Sequence, residues 1–148
     1  EPDYEQPSPA HPRNVTMGES IRLQGYDLPS VAATPGETID LTLYWECLAP
    51  TETNYTVFVH LLGPDSEIYG QQDSVPCGGR LPTTHWVAGE FIADEYHIPM
   101  PQDAPSGTYT FAIGMYDLQT GIRLTAADAS GAPLANNAVP VGQVTVHE

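Results

Sequence analysis

Hydrophobic and polar positions alternate at the start of the stretch from residue 37 to residue 63, and this stretch determines the architecture we expect. Positions 39, 41, 43, 45 and 47 are apolar or Cys, whereas the positions between them carry Asp, Thr, Tyr and Glu. A period of two is typical of a β-strand with one buried face. Residues 55–62 are apolar at nearly every position, which indicates a strand covered on both faces. The polar residues 50–54 between them predict two adjacent strands joined by a turn.

Further short strand patterns follow this pair, separated by turns rich in Gly and Pro. They cover residues 20–28, 67–73, 90–98, 107–117, 122–125 and 139–146. Seven to eight such strands without a helical pattern predict an all-β antiparallel β-sandwich, either immunoglobulin-like or jelly-roll. Residues 1–18 begin with a Pro-rich, polar segment that reads as a linker or N-terminal arm, so we place a single sandwich domain at residues 19–148.

The charge of the chain narrows the classes of partner. Its 148 residues include 19 Asp or Glu against 4 Lys or Arg, a formal net charge of -15. A surface that binds nucleic acid or anionic lipid needs clustered cations, so the charge argues strongly against both of these partners. The excess of acid favours solubility in an exposed setting, and the alternative is contact with cations or with a cationic cell-envelope component.

The two cysteines, Cys47 and Cys77, can pair in only one way. Cys47 ends a predicted strand and Cys77 lies in a Pro/Gly loop, positions that favour a disulfide over two free thiols. Such a bridge would stabilise the domain by roughly 3 to 4 kcal/mol and would indicate an oxidising, extracytoplasmic location. Neither cysteine belongs to a spacing typical of zinc sites.

One carboxylate is predicted to point into the sandwich. Asp94 shares a strand face with Ile92, Tyr96 and Ile98, and a buried carboxylate needs a partner. His60 and Arg123 are the candidate partners, so we predict a buried polar network of His60, Asp94 and Arg123. The alternative is a cation or ligand site at the same place.

A loop tryptophan is the main candidate for ligand binding. Trp86 follows Thr84 and His85, and an indole in such a loop can stack on a sugar ring. It can equally plug the end of the sandwich, which we favour. Exposure of Trp86 would support a binding module and its burial a structural one. The residues that we would test for ligand binding are Trp86, His85, Tyr96 and Asp73.

The sequence contains none of the common catalytic or metal-binding motifs that would assign a function. The chain has no HExxH, EF-hand, GxSxG or phosphate-loop motif, and no pair of carboxylates stands out as a glycosidase pair. We therefore expect no enzyme and no required cofactor. A weak calcium site remains open at the turn residues Asp65, Glu67, Asp117 and Thr120, although Asp is common in turns for the turn itself.

Seven segments together resemble a known type of domain. They are IRLQGYDL, LTLYWECLAP, NYTVFVHLLGPDSEIYGQQDSVP, GGRLPTTHW, GEFIADEYHIPMPQDAPSGTYTFAIGMYD, TGIRL and VGQVTV. In this order they resemble the C-terminal extracytoplasmic domain of bacterial multi-pass membrane proteins of the glycosyltransferase-like (dolichyl-phosphate-mannose mannosyltransferase) type. The resemblance covers roughly residues 19–146. It implies an upstream membrane portion, and it strengthens the expected disulfide because that pattern has small uncharged residues at both cysteine positions.

These observations predict a non-catalytic extracytoplasmic accessory domain, tethered to a membrane protein, that binds carbohydrate or another cell-envelope component. The alternative is a purely structural or protein-interaction module without a small-molecule site. A glycoside hydrolase is the third hypothesis, and it would require two carboxylates facing each other across a cleft.

Overall fold

Residues 2–147 of the computed structural model form two five-stranded sheets packed face to face. The first sheet contains, in spatial order, β7 (Phe91–Pro99), β4 (Thr38–Cys47), β2 (Ile21–Asp27), β1 (His11–Met17) and β9 (Ala126–Ala127). The second contains β3 (Ala32–Ala33), β10 (Val139–Val146), β8 (Gly107–Asp117), β5 (Tyr55–Leu62) and β6 (Ile68–Ser74). Pairing is antiparallel except between β3 and β10. The predicted all-β two-sheet architecture is confirmed.

Strand β4 lies inside the first sheet, between β7 and β2, and it has the single buried face that its alternation predicts. Its polar positions face outward, and its five remaining positions point into the core and are exposed to 1% or less. These five residues are Ile39, Leu41, Leu43, Trp45 and Cys47. β2 and β7 pair with it on either side. β4 and β5, which the sequence suggests as adjacent strands, lie in different sheets, because residues 48–54 carry the chain across the sandwich.

The N-terminal region contributes more to the sandwich than the sequence suggests. Residues 11–17, expected to belong to a linker, form β1 and pair with β2. Residues before β1 lie against the first sheet: the amide of Phe91 donates to the carbonyl of Asp3 at 2.7 Å. A Cβ on Gly25 would stand 2.5 Å from Cγ of Pro9, so glycine permits the close approach of this arm.

The predicted disulfide is wrong, because Cys47 and Cys77 are both free. The thiol of Cys77 donates to the carbonyl of Ala93, and Ala93 pairs with Tyr44, three residues before Cys47 on β4. Three residues of strand span about 10 Å. The Cα atoms of a disulfide lie within about 7 Å, so the register of β7 on β4 keeps the two cysteines apart.

Candidate functional site

Trp86 does not present its ring to solvent. The residue is 2% exposed, and its indole N–H donates to the carbonyl of Leu81 at 2.9 Å. His85, the last residue of a short 3-10 turn at Thr83–His85, remains exposed. Trp86 therefore plugs the core, which excludes it as a stacking platform for a ligand in this conformation.

Asp94 points into the sandwich, as predicted, but its hydrogen-bond partners differ from the predicted ones. Its carboxylate accepts hydrogen bonds from the Tyr96 hydroxyl (2.7 Å), the Cys77 amide (2.8 Å) and the Trp45 indole (3.2 Å). The structure does not bring it together with His60 or Arg123. The Cys77 bond shows what this group does: it ties the loop after β6 to the first sheet.

Burial dominates the electrostatics of this interior group. Desolvation raises the pKa of the Asp94 carboxyl, while the hydrogen bonds from Tyr96, Cys77 and Trp45 act in the opposite direction. Desolvation followed by the Asp94 charge raises the pKa of the Tyr96 hydroxyl. Both groups are fully enclosed by protein, so Tyr96, predicted to bind ligand, has a structural role here.

The remaining predicted residues meet on the outer face of the second sheet. His60 and Asp73, together with Arg123 from the loop after β8, line a concave region of about 250 Å³. We call it the outer-face cleft, and its lining residues are Phe58, His60, Gln71, Asp73, Tyr116, Gly121 and Arg123. Strand parity explains the grouping, because Phe58 and His60 share the face of β5 opposite to the core residues Val57 and Val59.

A buried aromatic ring forms the floor of this cleft. Phe58 is only 2% exposed although it points away from the core. It pairs in register with Gly114 of β8, where a Cβ would stand 2.5 Å from Cζ of Phe58. The missing side chain lets the ring lie across β8. The guanidinium of Arg123 covers the ring at 4.2 Å from its centroid and donates to the carbonyl of Asn136 at 2.9 Å.

Three polar groups on β6 and β8, the two strands that flank β5, form one wall of the outer-face cleft. The Tyr116 hydroxyl donates to one oxygen of Asp73 at 2.8 Å, and the Gln71 amide donates to the other at 3.2 Å. The hydrogen bond to Asp73 raises the pKa of Tyr116. All three side chains are anchored on strands β6 and β8, so their donors and acceptors are held in fixed positions.

His60 lines the same cleft as this wall and Arg123. Its ring lies 5.0 Å from that of Phe58 and is half-buried. Desolvation lowers the pKa of His60, the Asp73 charge raises it, and the Arg123 charge lowers it. A second depression of about 470 Å³, which also touches Phe58, His60 and Arg123, continues toward Asn136. This second depression lies within the range of small-molecule sites, roughly 300–1,000 Å³, and the outer-face cleft is slightly smaller.

Sequence reasoning missed the residues that complete this site: Phe58, Gln71 and Tyr116. The alternation on β8 places Tyr116 on the face opposite to the core. The other signal is that Phe58 and His60, two positions apart, must lie on the same face of β5. That signal is weak, because both faces of β5 carry apolar residues.

Another cleft, of about 380 Å³, lies between the N-terminal arm and the first sheet. Asp3, Glu5, Tyr44 and Phe91 line it, so one wall is the arm itself. The outer-face cleft differs in that its polar groups all come from strands or a strand-anchored loop.

The turn residues considered for calcium are engaged in their own turns. Asp65 accepts from the Glu67 amide and the Tyr69 hydroxyl, and Asp117 accepts from the Gln119 amide. Thr120 accepts from the Ile122 amide. Across residues 2–147, no three His, Cys, Asp or Glu side chains converge as a metal site would require.

No helix within residues 2–147 combines the length and the apolar character needed to cross a membrane.

Comparison with known proteins supports the fold. No protein-family model matches the chain, and a search of curated protein sequences finds no match. Among solved structures it is similar to the C-terminal domain of wzt, with a TM-score of 0.57 at 12% identity, covering 95% of this chain and 83% of that one. It is also similar to a Niemann-Pick type C2 protein from the Japanese carpenter ant, with a TM-score of 0.53 at 5% identity, covering 91% and 98%. At these identities the likeness establishes a β-sandwich fold and no more.

Proposed function

We propose that this chain is a non-catalytic β-sandwich, immunoglobulin-like or jelly-roll in type, that binds carbohydrate in the outer-face cleft. The observation that carries the proposal is the wall formed by Tyr116, Asp73 and Gln71 beside the ring of His60. Sugars are recognised by aromatic rings under their C–H faces and by polar side chains at their hydroxyls. Because these groups project from paired strands, little conformational entropy is lost when a ligand binds.

The arrangement of acids supports a binding role over hydrolysis. Within the described residues, Asp73 is the single carboxylate that lines the cleft, and both of its oxygens accept hydrogen bonds. Glycoside hydrolysis uses two carboxyl groups on opposite sides of the bond that breaks. A site with one fully engaged carboxylate fits recognition of hydroxyl groups.

The wider setting is part of the same proposal. The sequence resemblance supports an accessory domain of a membrane glycosyltransferase-like protein, exposed on the extracytoplasmic side. There the domain would hold a glycan near the membrane-embedded portion. The acidic surface fits an exposed, soluble module in this location.

The alternative is a structural or protein-interaction module, and the burial of Trp86 favours it. Under this alternative the polar wall of the cleft would contact another protein or only solvent. The two functions differ in whether a free oligosaccharide binds the isolated domain.

Calorimetric titration of a panel of neutral and acidic oligosaccharides into the wild type and the Tyr116→Ala variant tests the proposal. Tyr44→Ala is the matched control, because Tyr44 lies on the outer face of the first sheet and its hydroxyl also donates to an aspartate, Asp27. We expect at least one sugar class to bind, with a loss of about tenfold or more in Tyr116→Ala and no loss in Tyr44→Ala. Absence of binding across the panel would reject the carbohydrate function in favour of the interaction module.

A further inference from the structure

Positive charge is scarce in this chain, and most of it is placed away from the outer-face cleft. The four cationic side chains are all arginines: Arg13, Arg22, Arg80 and Arg123. Arg22 forms an ion pair with Glu46 at 3.0 Å, and Arg80 donates to the carbonyl of Cys77. Arg123 is the cation that lines the cleft. With 19 acidic residues in the chain, an arginine facing a cleft would be expected to have a carboxylate partner.

Arg123 has no such partner in the part of the chain that the structure describes. The ion pairs among residues 2–147 are Arg22–Glu46 and His97–Asp40. Asp73, the carboxylate in the same cleft, is instead occupied by Tyr116 and Gln71. Guanidinium carries five N–H donors, and over the described residues a single one of them, on Nη1, is used, toward the carbonyl of Asn136.

The position of the guanidinium leaves its donors available while fixing its plane. Its face packs on Phe58, so the side chain is held by stacking and by the Asn136 carbonyl. A guanidinium held in this way can donate two parallel hydrogen bonds to a carboxylate, and such charged hydrogen bonds are about twice as strong as neutral ones. His60 lines the same cleft and offers one further N–H donor as a neutral imidazole, or two when protonated.

We propose that the outer-face cleft binds a glycan unit that carries a carboxylate, such as a uronic acid, with Arg123 as the carboxylate ligand. This inference rests on the proposed carbohydrate function and specifies its substrate class. In this arrangement the sugar ring lies toward His60 and Tyr116 and its hydroxyls reach Gln71 and Asp73. The depression toward Asn136 accommodates the neighbouring sugar unit.

The test compares trigalacturonate with its trimethyl ester, which has the same sugar rings and no charge. Calorimetry is run on the wild type and on Arg123→Gln, Arg123→Lys and Arg13→Gln. Arg13 is the matched control, because it also lies over an aromatic ring, that of Tyr26 at 5.2 Å from the centroid. Circular dichroism and thermal unfolding establish that each variant is folded.

We expect the wild type to bind the acid at least about tenfold more tightly than the ester. Arg123→Gln should remove this preference, Arg123→Lys should keep part of it because the charge remains, and Arg13→Gln should leave it unchanged. Poly-glutamate is the control for charge alone and should bind more weakly than trigalacturonate.

Four results would overturn the inference. Equal binding of acid and ester, or binding only of neutral sugars in a Tyr116-dependent manner, would reject the carboxylate while leaving the carbohydrate function intact. Arg123-dependent binding of poly-glutamate as tight as that of trigalacturonate would assign the cleft to acidic peptides instead. Failure of every sugar to bind would reject the carbohydrate function and this inference together.

Discussion

The hydroxyl of Tyr96 donates a hydrogen bond of 2.7 Å to the carboxylate of Asp94, two residues earlier on the inward face of β7. Both residues are buried to 1% exposure or less, and the same carboxylate also holds the Cys77 amide and the Trp45 indole. One carboxylate thus joins a strand, the neighbouring strand and a loop. Its oxygens satisfy three donors, of which the Trp45 indole N–H and the Tyr96 hydroxyl are buried.

Removal of this carboxylate should destabilise the fold. A donor left buried and unsatisfied costs about 1–3 kcal/mol, so Asp94→Ala should lower the free energy of unfolding by about 3 kcal/mol or more. Asp94→Asn, which keeps one acceptor oxygen, should cost less. Urea unfolding followed by tryptophan fluorescence measures both. Asp40→Ala is the control, because Asp40 is exposed and bonded to the exposed His97, and a loss there as large as in Asp94→Ala would contradict the assignment.

The stability of the domain should depend on the ionisation of Asp94. Burial raises the folded-state pKa of this carboxyl above its ordinary value of 3.8, so the folded state binds the proton more tightly than the unfolded state. The contribution to stability is therefore fully present below about pH 4 and is lost as pH rises through the raised folded pKa.

Asp94→Asn removes this titration, so the wild type should gain free energy of unfolding relative to the variant as the pH falls. Urea unfolding of both proteins between about pH 4 and about pH 8 measures the difference. The exposed acids Glu37, Asp65 and Asp128, whose pKa values are lowered, act in the opposite direction and cancel in the comparison. A difference independent of pH would show that the folded-state pKa of Asp94 is unshifted.

The two cysteines should behave as separate thiols. Cys47 is buried, and desolvation raises the pKa of the Cys77 thiol to about 11, so neither is a thiolate at neutral pH. A thiol-reactive dye should label the native protein slowly and the unfolded protein at both cysteines. A reducing agent should leave the unfolding midpoint unchanged, and intact mass should show no loss of two hydrogens. A lower midpoint after reduction would indicate a disulfide.

Trp86→Ala should act on stability and leave the outer-face cleft unaffected. The substitution empties a core position and removes the donor to the Leu81 carbonyl, which should cost about 3–5 kcal/mol. His85→Ala, at the exposed neighbouring position, should change stability by about 0.5 kcal/mol or less. Chemical unfolding gives both values. A loss of sugar binding in folded Trp86→Ala without a loss of stability would restore the stacking function.

The sequence was informative where one face of a strand is apolar and the other polar. On β4 this alternation identified the core face and placed Trp45 inside, and on β7 it pointed Asp94 inward. β1 escaped notice because four of its seven residues are exposed and only Val15 and Met17 are buried. A strand with so few buried residues carries too little apolar pattern to stand out from a linker.

The candidate site was predictable only in pieces. The sequence predicts Asp73 as a ligand residue, but it predicts His60 and Arg123 as partners of Asp94 and not as residues of the cleft. On β5 both faces are apolar around His60, so parity alone could not place it outside the core. Residues of β6, β8 and the following loop come together only in the tertiary structure. The floor of the cleft also depends on Gly114, because a side chain there would clash with Phe58, and no local sequence pattern reveals this role.

Gly114→Ala should disturb the outer-face cleft from its floor. The new methyl group would stand 2.5 Å from Cζ of Phe58 and 3.0 Å from the carbonyl of Asn137, so the ring must move. Overpacking of this kind costs about 1–3 kcal/mol. Because Arg123 stacks on Phe58, movement of the Phe58 ring should displace Arg123 and weaken glycan binding. Thr108→Ala, at an exposed position of the same strand, should change neither property.

A double variant tests whether the clash with the ring is the cause. Phe58→Leu removes atoms from the place that the new methyl group needs, so Gly114→Ala should cost less stability in the Phe58→Leu background than in the wild type. The difference is the coupling energy of the pair, which for residues in contact is about 0.5–3 kcal/mol. Urea unfolding of the wild type, both single variants and the double variant gives this value. Additive losses would mean that Gly114 serves the backbone of β8 and does not make room for Phe58.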